Sequence, residues 1–169
     1  MVLFTEEEIQ TRVKSLAIEV SYKNNPENSS RVMIGVLNGA FMFFTDLVRN
    51  LEVDCEIDFM QAKSYLGQVQ DRVDITKDVS IDIAGKDIFL VDDIYDSGNT
   101  MKRLIAHLQT KGPKSITPVT LFKRSYSNRD DLIYGFELHN EAWLVGYGLD
   151  ATNGHKRNQP FITGQIIEE

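Results

Sequence analysis

The sequence predicts an α/β protein built on a mostly parallel sheet covered on both faces. Two observations carry that expectation. Short continuous apolar runs, "RVMIGVL" (31–37) and "DIFLV" (87–91), have strand length and no polar face, as strands buried on both sides do. Segments of helical period follow each of them, so strand and helix alternate at the spacing of crossover units.

The elements follow in order. Thr5 and Glu8 have capping-box spacing, and Ile9, Val13, Leu16, Ala17 and Val20 continue at helical intervals until the polar "NNPENSS" ends the helix. After the strand at 31–37, a turn at Asn38-Gly39 leads into "AFMFFTDLVRNL", with Phe41, Phe44, Val48 and Leu51 on one predicted stripe. The aromatic "FMFF" reads as core packing first and a subunit interface second. "EVDCEIDFM" (52–60) alternates strictly, which predicts a strand with one exposed face or an edge position. Residues 64 to 86 are charged and without a strong period, so they read as a long loop or a loose hairpin, functional or mobile. Met101, Leu104, Ile105 and Leu108 form a further amphipathic helix, closed by Gly112 and Pro113. "SITPVTLF" and "AWLVGYGL" are two more strand candidates.

Composition sets the outer limits. A chain of 169 residues suits one domain, 1–169, with a full core. A net charge of -7 argues against a broad nucleic-acid face. Cys55 is the only cysteine, which excludes an internal disulfide and a cysteine-cluster metal site. The acidic "MVLFTEEEIQ" is no signal peptide and no stretch has membrane-spanning length, so a cytoplasmic, membrane-free protein is expected. His107, His139 and His155 lack metal-binding spacing.

In parallel sheets ligands bind beyond the carboxyl ends of the strands. After Val91 the chain reads "DDIYDSGNT". Gly98 permits a tight turn, the amides of residues 97 to 100 can converge on one anion at a helix start, and Ser97 and Thr100 add hydroxyls. A phosphate monoester suits such a nest. Asp92 and Asp93 cannot bind phosphate themselves, but they can accept from ribose hydroxyls or hold Mg²⁺. The bland alternative is a simple helix cap with two solvated acids.

The string "IFLVDDIYDSGNTM" resembles the phosphoribosyl-pyrophosphate signature of type I phosphoribosyltransferases, in their hypoxanthine-guanine branch. "VLNGAFMFFTDL" is similar to that family's pyrophosphate loop, "IDFMQAKSYLG" to the strand leading to its mobile Ser-Tyr loop, "TLFKRS" to its purine-contacting lysine segment, and "WLVGYGLD" to its base-stacking strand. The resemblance implies a twisted sheet flanked by helices with a small hood. It also implies purine salvage: a purine base and phosphoribosyl pyrophosphate give a nucleoside monophosphate and pyrophosphate, with Mg²⁺ as cofactor.

Roles follow from the same resemblance. Asp96 to Thr100 (with Ser97, Gly98 and Asn99) would hold the 5-phosphate. Asp92 and Asp93 would grip the ribose and support Mg²⁺, although the family more often begins this pair with Glu. Asp96 would take the proton displaced from the purine as its N9 attacks. Lys123 would donate to the 6-oxo group, Trp143 would stack on the base, the Leu144 carbonyl would meet the base edge, and Asp150 would bind Mg²⁺ through the pyrophosphate site. Ser64 and Tyr65 would belong to the closing loop. Two departures stand out: Asn38 precedes Gly39 where the family carries Lys, and Lys156 stands where it carries Arg, with Arg157 next and the better pyrophosphate contact. Family members form dimers and tetramers, so a homodimer or homotetramer is implied. Competing readings are a xanthine-guanine or pyrimidine phosphoribosyltransferase, or a nucleic-acid-binding regulator on the same fold.

Overall fold

A computed structural model of the chain describes residues 1–24, 27, 30–65, 72–151 and 153–165, with Tyr65 and Arg72 described in their backbone only. The elements are β1 (Val2–Phe4), α1 (Glu6–Tyr22), β2 (Arg31–Leu37), α2 (Phe41–Arg49), β3 (Glu56–Tyr65) and β4 (Arg72–Lys77). There follow β5 (Asp87–Tyr95), α3 (Asn99–Gln109), β6 (Ser115–Arg124), β7 (Ile133–Leu138), β8 (Trp143–Val145) and β9 (Ile162–Gln165).

Six strands form the main sheet in the order β4-β3-β2-β5-β6-β7, parallel throughout except for antiparallel β4. The two continuous apolar runs feed both faces by simple alternation. Met33, Phe89 and Val91 enter a core under α1 and α2, while Val32, Ile34, Ile88 and Leu90 enter a second core under α3. A three-stranded antiparallel sheet, β1-β9-β8, makes the hood. Phe4 ties it to the main body through ring contacts with Phe122 and Phe136 at 5.1 and 4.6 Å. The capping box of α1 forms as the spacing predicts, the Thr5 amide donating to Glu8 at 2.8 Å. Among the described residues no helix is long and apolar enough to cross a membrane.

Three expectations change. The strand expected at 52–60 begins only at Glu56, and β3 lies inside the sheet between β2 and β4. Burial also inverts at one pair of residues: Ile57 is 48% exposed while Asp58 is buried. The cause is satisfaction of the acid by a distant segment: it accepts the amides of Ser80 at 2.6 Å and Ile81 at 3.2 Å. Burial opposes ionisation of Asp58, but these amides and that of Phe59 outweigh it and lower its pKa. The stripe expected on α2 is rotated, so that Phe43, Phe44 and Leu47 are buried and Phe41 is 39% exposed. Segment 64–86 holds the end of β3, all of β4 and a turn whose Ile83 enters the second core, so the hairpin alternative describes it; residues 66–71 lie outside the described residues.

Candidate active site

The strand order reverses between β2 and β5, because the chain steps from β2 to β3 on one side and from β5 to β6 to β7 on the other. The loops leaving β2 and β5 therefore part to opposite faces and leave a crevice at their carboxyl ends. Two adjoining hollows occupy it. One, of about 170 Å³, is walled by the continuous stretch Asp92 to Met101. The other, of about 260 Å³, is lined by Gly39, Asp93, Ile94 and Asp96 below, and by Trp143, Leu144, Leu149, Asp150 and Arg157 above, with Arg124 at the side. Asp93, Ile94 and Asp96 belong to both.

The first hollow lies where the nest is expected. Gly98 is the N-cap of α3 at φ 80°, and a Cβ there would lie 2.5 Å from the Tyr95 hydroxyl oxygen. Only glycine fits both the turn and the tyrosine beneath it. No side chain caps the first turn of α3 in the usual way, although the Ser97 hydroxyl accepts the Asn99 amide at 3.3 Å. Ser64 reaches Thr100, hydroxyl to hydroxyl, at 3.2 Å, so the tip of β3 touches the rim of the nest. The Tyr65 side chain lies outside what is described.

Asp92 and Asp93 stand side by side at the end of β5, and both pKa values are raised. For Asp92, burial is the main cause and the charge of Asp93 adds to it. For Asp93, burial again leads, opposed by hydrogen bonds and by the charge of Arg157. Gly39 is what admits Asp93: a Cβ on residue 39 would lie 1.9 Å from the Asp93 Oδ2. The Leu37–Asn38 peptide before it is cis, and the Asn38 Oδ1 accepts from Gln61 at 3.3 Å.

On the far wall the Trp143 indole N–H donates to the Asp150 carbonyl at 3.0 Å. Arg157 pairs with Asp150 at 3.0 Å and donates to the Gly148 carbonyl at 2.7 Å. Lys156, at φ 70° and exposed, does not line the cavity, so Arg157 is the cation at that place. The segment is anchored from behind by Tyr147, whose buried hydroxyl donates to Asp46 at 2.6 Å; Gln10 donates to the same oxygen at 2.7 Å.

Lys123 does not line the cavity; its ammonium lies 3.2 Å from Glu137 and over the Tyr134 ring. The parallel register of β6 and β7 puts Lys123 directly opposite Glu137, and a buried ammonium takes the nearest carboxylate. The next residue, Arg124, lines the cavity instead and binds the carbonyls of Asn140 and Ala142 just before Trp143. The pair of bases in "FKRS" was the available signal. Asp96 carries a second unpredicted contact, a hydrogen bond from the Tyr126 phenol.

The phosphoribosyl transferase domain model matches residues 4–152. The chain belongs to the phosphoribosyltransferase family. Among curated phosphoribosyltransferases, it is 36% identical over 172 residues to the hypoxanthine phosphoribosyltransferase of Escherichia coli strain K12, covering 98% of this chain and 94% of that one. It is 37% identical over 166 residues to the hypoxanthine-guanine phosphoribosyltransferase of Bacillus subtilis strain 168, covering 95% and 90%. A crystal structure of a hypoxanthine-guanine phosphoribosyltransferase from Bacillus anthracis superimposes with a TM-score of 0.89 at 34% identity, over 98% of each chain. Type I phosphoribosyltransferase architecture thus describes the main sheet, its flanking helices and the hood together.

Proposed function

We propose that this protein is a purine-salvage transferase, moving the 5-phosphoribosyl group from phosphoribosyl pyrophosphate to hypoxanthine or guanine and releasing pyrophosphate. The observation that carries the reading is the shared wall: the hollow at the start of α3 and the cavity lined by Trp143 meet at Asp93, Ile94 and Asp96. A substrate with a phosphate at one end and a reacting ribose at the other spans that junction. The relatives named for hypoxanthine and guanine transfer support the choice of base.

In this reading the nest from Asp96 to Thr100 holds the 5-phosphate through main-chain amides and hydroxyls. Asp92 and Asp93 accept from the ribose hydroxyls. The base lies against Trp143 with its edge toward Leu144, and its N9 attacks the anomeric carbon as the bond to pyrophosphate breaks and its electron pair leaves with the oxygen. Asp96 takes the proton lost from the purine, a contribution of ~10²–10⁴-fold for a well-placed base. Arg157 and the amides around Gly39 receive the pyrophosphate, with Asn38 supplying a neutral side chain there. Ser64, beside Thr100 at the end of β3, helps to keep water from the reacting centre.

The donor set fits magnesium. Asp92, Asp93 and Asp150 offer hard oxygens, and among the described residues no group of three His, Cys, Asp or Glu side chains forms a cage. That arrangement suits an ion held by one or two carboxylates and completed by substrate phosphates. When bound, Mg²⁺ neutralises developing charge on the pyrophosphate oxygens.

The test is direct. The protein is mixed with Mg²⁺, phosphoribosyl pyrophosphate and each of hypoxanthine, guanine, xanthine, adenine and uracil, and nucleotide is measured. Monophosphate from hypoxanthine or guanine is expected, and its absence from both overturns the reading. Asp96→Asn should cut turnover by ~10²-fold or more while the protein stays folded.

A further inference from the structure

We propose that Tyr126 is a positioning residue for Asp96, its phenol pinning one carboxylate oxygen so that the other stays turned toward the purine. The proposal rests on Asp96 as the proton acceptor.

Asp96 is the first residue beyond β5 and lies on the wall between the two hollows. Fixing only its backbone would leave the carboxylate free to rotate about two side-chain bonds, toward the base or toward the 5-phosphate that would repel it. The turn after β6 reaches back and holds Asp96 at both levels. The Ser127 hydroxyl donates to the Asp96 carbonyl oxygen, and the Tyr126 phenol donates to its Oδ1. Consecutive residues thus secure the backbone and the side chain of one acid. A carboxylate with one oxygen engaged by a donor offers the other as the site for an incoming proton.

Packing does not account for Tyr126. It is 61% exposed, so its ring adds little to either core, and its hydrogen bond to Asp96 is the contact that gives it a fixed place. The phenol also stays a donor, since bonding to the carboxylate raises its pKa above the ordinary tyrosine range. Arg124 from β6 and Glu141 before β8 are the charges that face it, and both remain when only the hydroxyl is removed.

The experiment is a double-mutant cycle on the intact enzyme, with Tyr126→Phe, Asp96→Asn and the pair, measuring kcat and KM for hypoxanthine and phosphoribosyl pyrophosphate. Tyr126→Phe is expected to lower kcat by about five- to twentyfold with both KM values within about twofold, the pattern of a lost transition-state alignment. Its melting temperature should match the parent within about 2 °C. On the Asp96→Asn background the same change should cost less than about twofold, because its effect runs through Asp96. A parental kcat in Tyr126→Phe overturns the proposal. So does an undiminished loss on the Asp96→Asn background, which would place the action of Tyr126 elsewhere. Parental turnover in Asp96→Asn alone removes the proton-acceptor reading itself, whatever Tyr126→Phe does.

Discussion

Replacing Gly39 by alanine adds one methyl group at the point where the loop of β2 meets the acids of β5. The new Cβ would stand 1.9 Å from the Asp93 Oδ2 and 2.8 Å from its Cγ, where real Cβ contacts essentially never fall below 3.0 Å. The carboxylate oxygen must therefore withdraw by more than 1 Å, or the loop must move by as much. Movement of the loop is opposed from the other side, since the Gly39 carbonyl already lies against Gly148. Residue 39 does not have a left-handed backbone, so alanine brings no conformational strain of its own. A 1 Å displacement of a group that orients a reacting centre costs ~10²-fold. Gly39→Ala is thus expected to lower kcat/KM for phosphoribosyl pyrophosphate by ~10²-fold, while denaturant unfolding changes by less than ~2 kcal/mol. Steady-state kinetics and urea melts on the same preparations supply both numbers. Activity within about threefold of the parent would refute the claim that Gly39 sets the position of Asp93.

Other outcomes can be stated more briefly. Arg157→Ala leaves Asp150 and Asp93 without their shared cation and should raise KM for phosphoribosyl pyrophosphate about tenfold or more, with less effect on KM for the base. Tyr147→Phe takes a buried donor from Asp46 and should cost about 1–2 kcal/mol, read as a melting point lower by about 3–6 °C. Asp78 joins the start of the 78–86 turn to His107 of α3 at 2.9 Å and to Lys111, just past the end of that helix, at 2.8 Å. Burial works against its ionisation, but these partners overcome it and bring its pKa down to about 2. A depressed acid contributes stability that is complete above its unfolded pKa and is lost as pH falls through the folded one. Asp78→Asn should therefore cost stability at pH 7 and converge with the parent between about pH 4 and pH 2. The full shift would correspond to ~2.4 kcal/mol, and a side chain 38% exposed is screened to nearer ~1 kcal/mol.

The parallel core and the turn into α3 were legible because their signals are local. "RVMIGVL" became β2 residue for residue, and the small residues of "DSGNT" need only their own backbone to make the turn into α3. What failed depended on partners distant in sequence. The polarity of β3 misled because the buried Asp58 is satisfied by amides some twenty residues on. β7, "IYGFEL", has a glycine at its centre where the Leu121 carbonyl passes 2.6 Å from a would-be Cβ, so it shows no apolar run. β1 and β9, three and four residues long, are strands only because they pair with each other and with β8. Lys123 pairs across the sheet with Glu137, a partner that its neighbours in the chain give no hint of.

The two cores on either side of the sheet are unequal, and the difference reaches the site. Under α1 and α2 lie the large rings of Phe43, Phe44, Phe89 and Phe122, whereas the side under α3 is filled chiefly by aliphatic chains with Tyr95 as its buried ring. The nest hangs from α3, on the lighter side. A phosphate bound there, as proposed, would add its binding free energy to the side of the sheet with the smaller buried cluster. Amides of α3 should exchange with solvent sooner than those of α1 in the free protein, and gain the larger protection when substrate is bound. A ligand at the start of α3 would then serve as part of the architecture, adding from outside to the side whose buried cluster is the smaller.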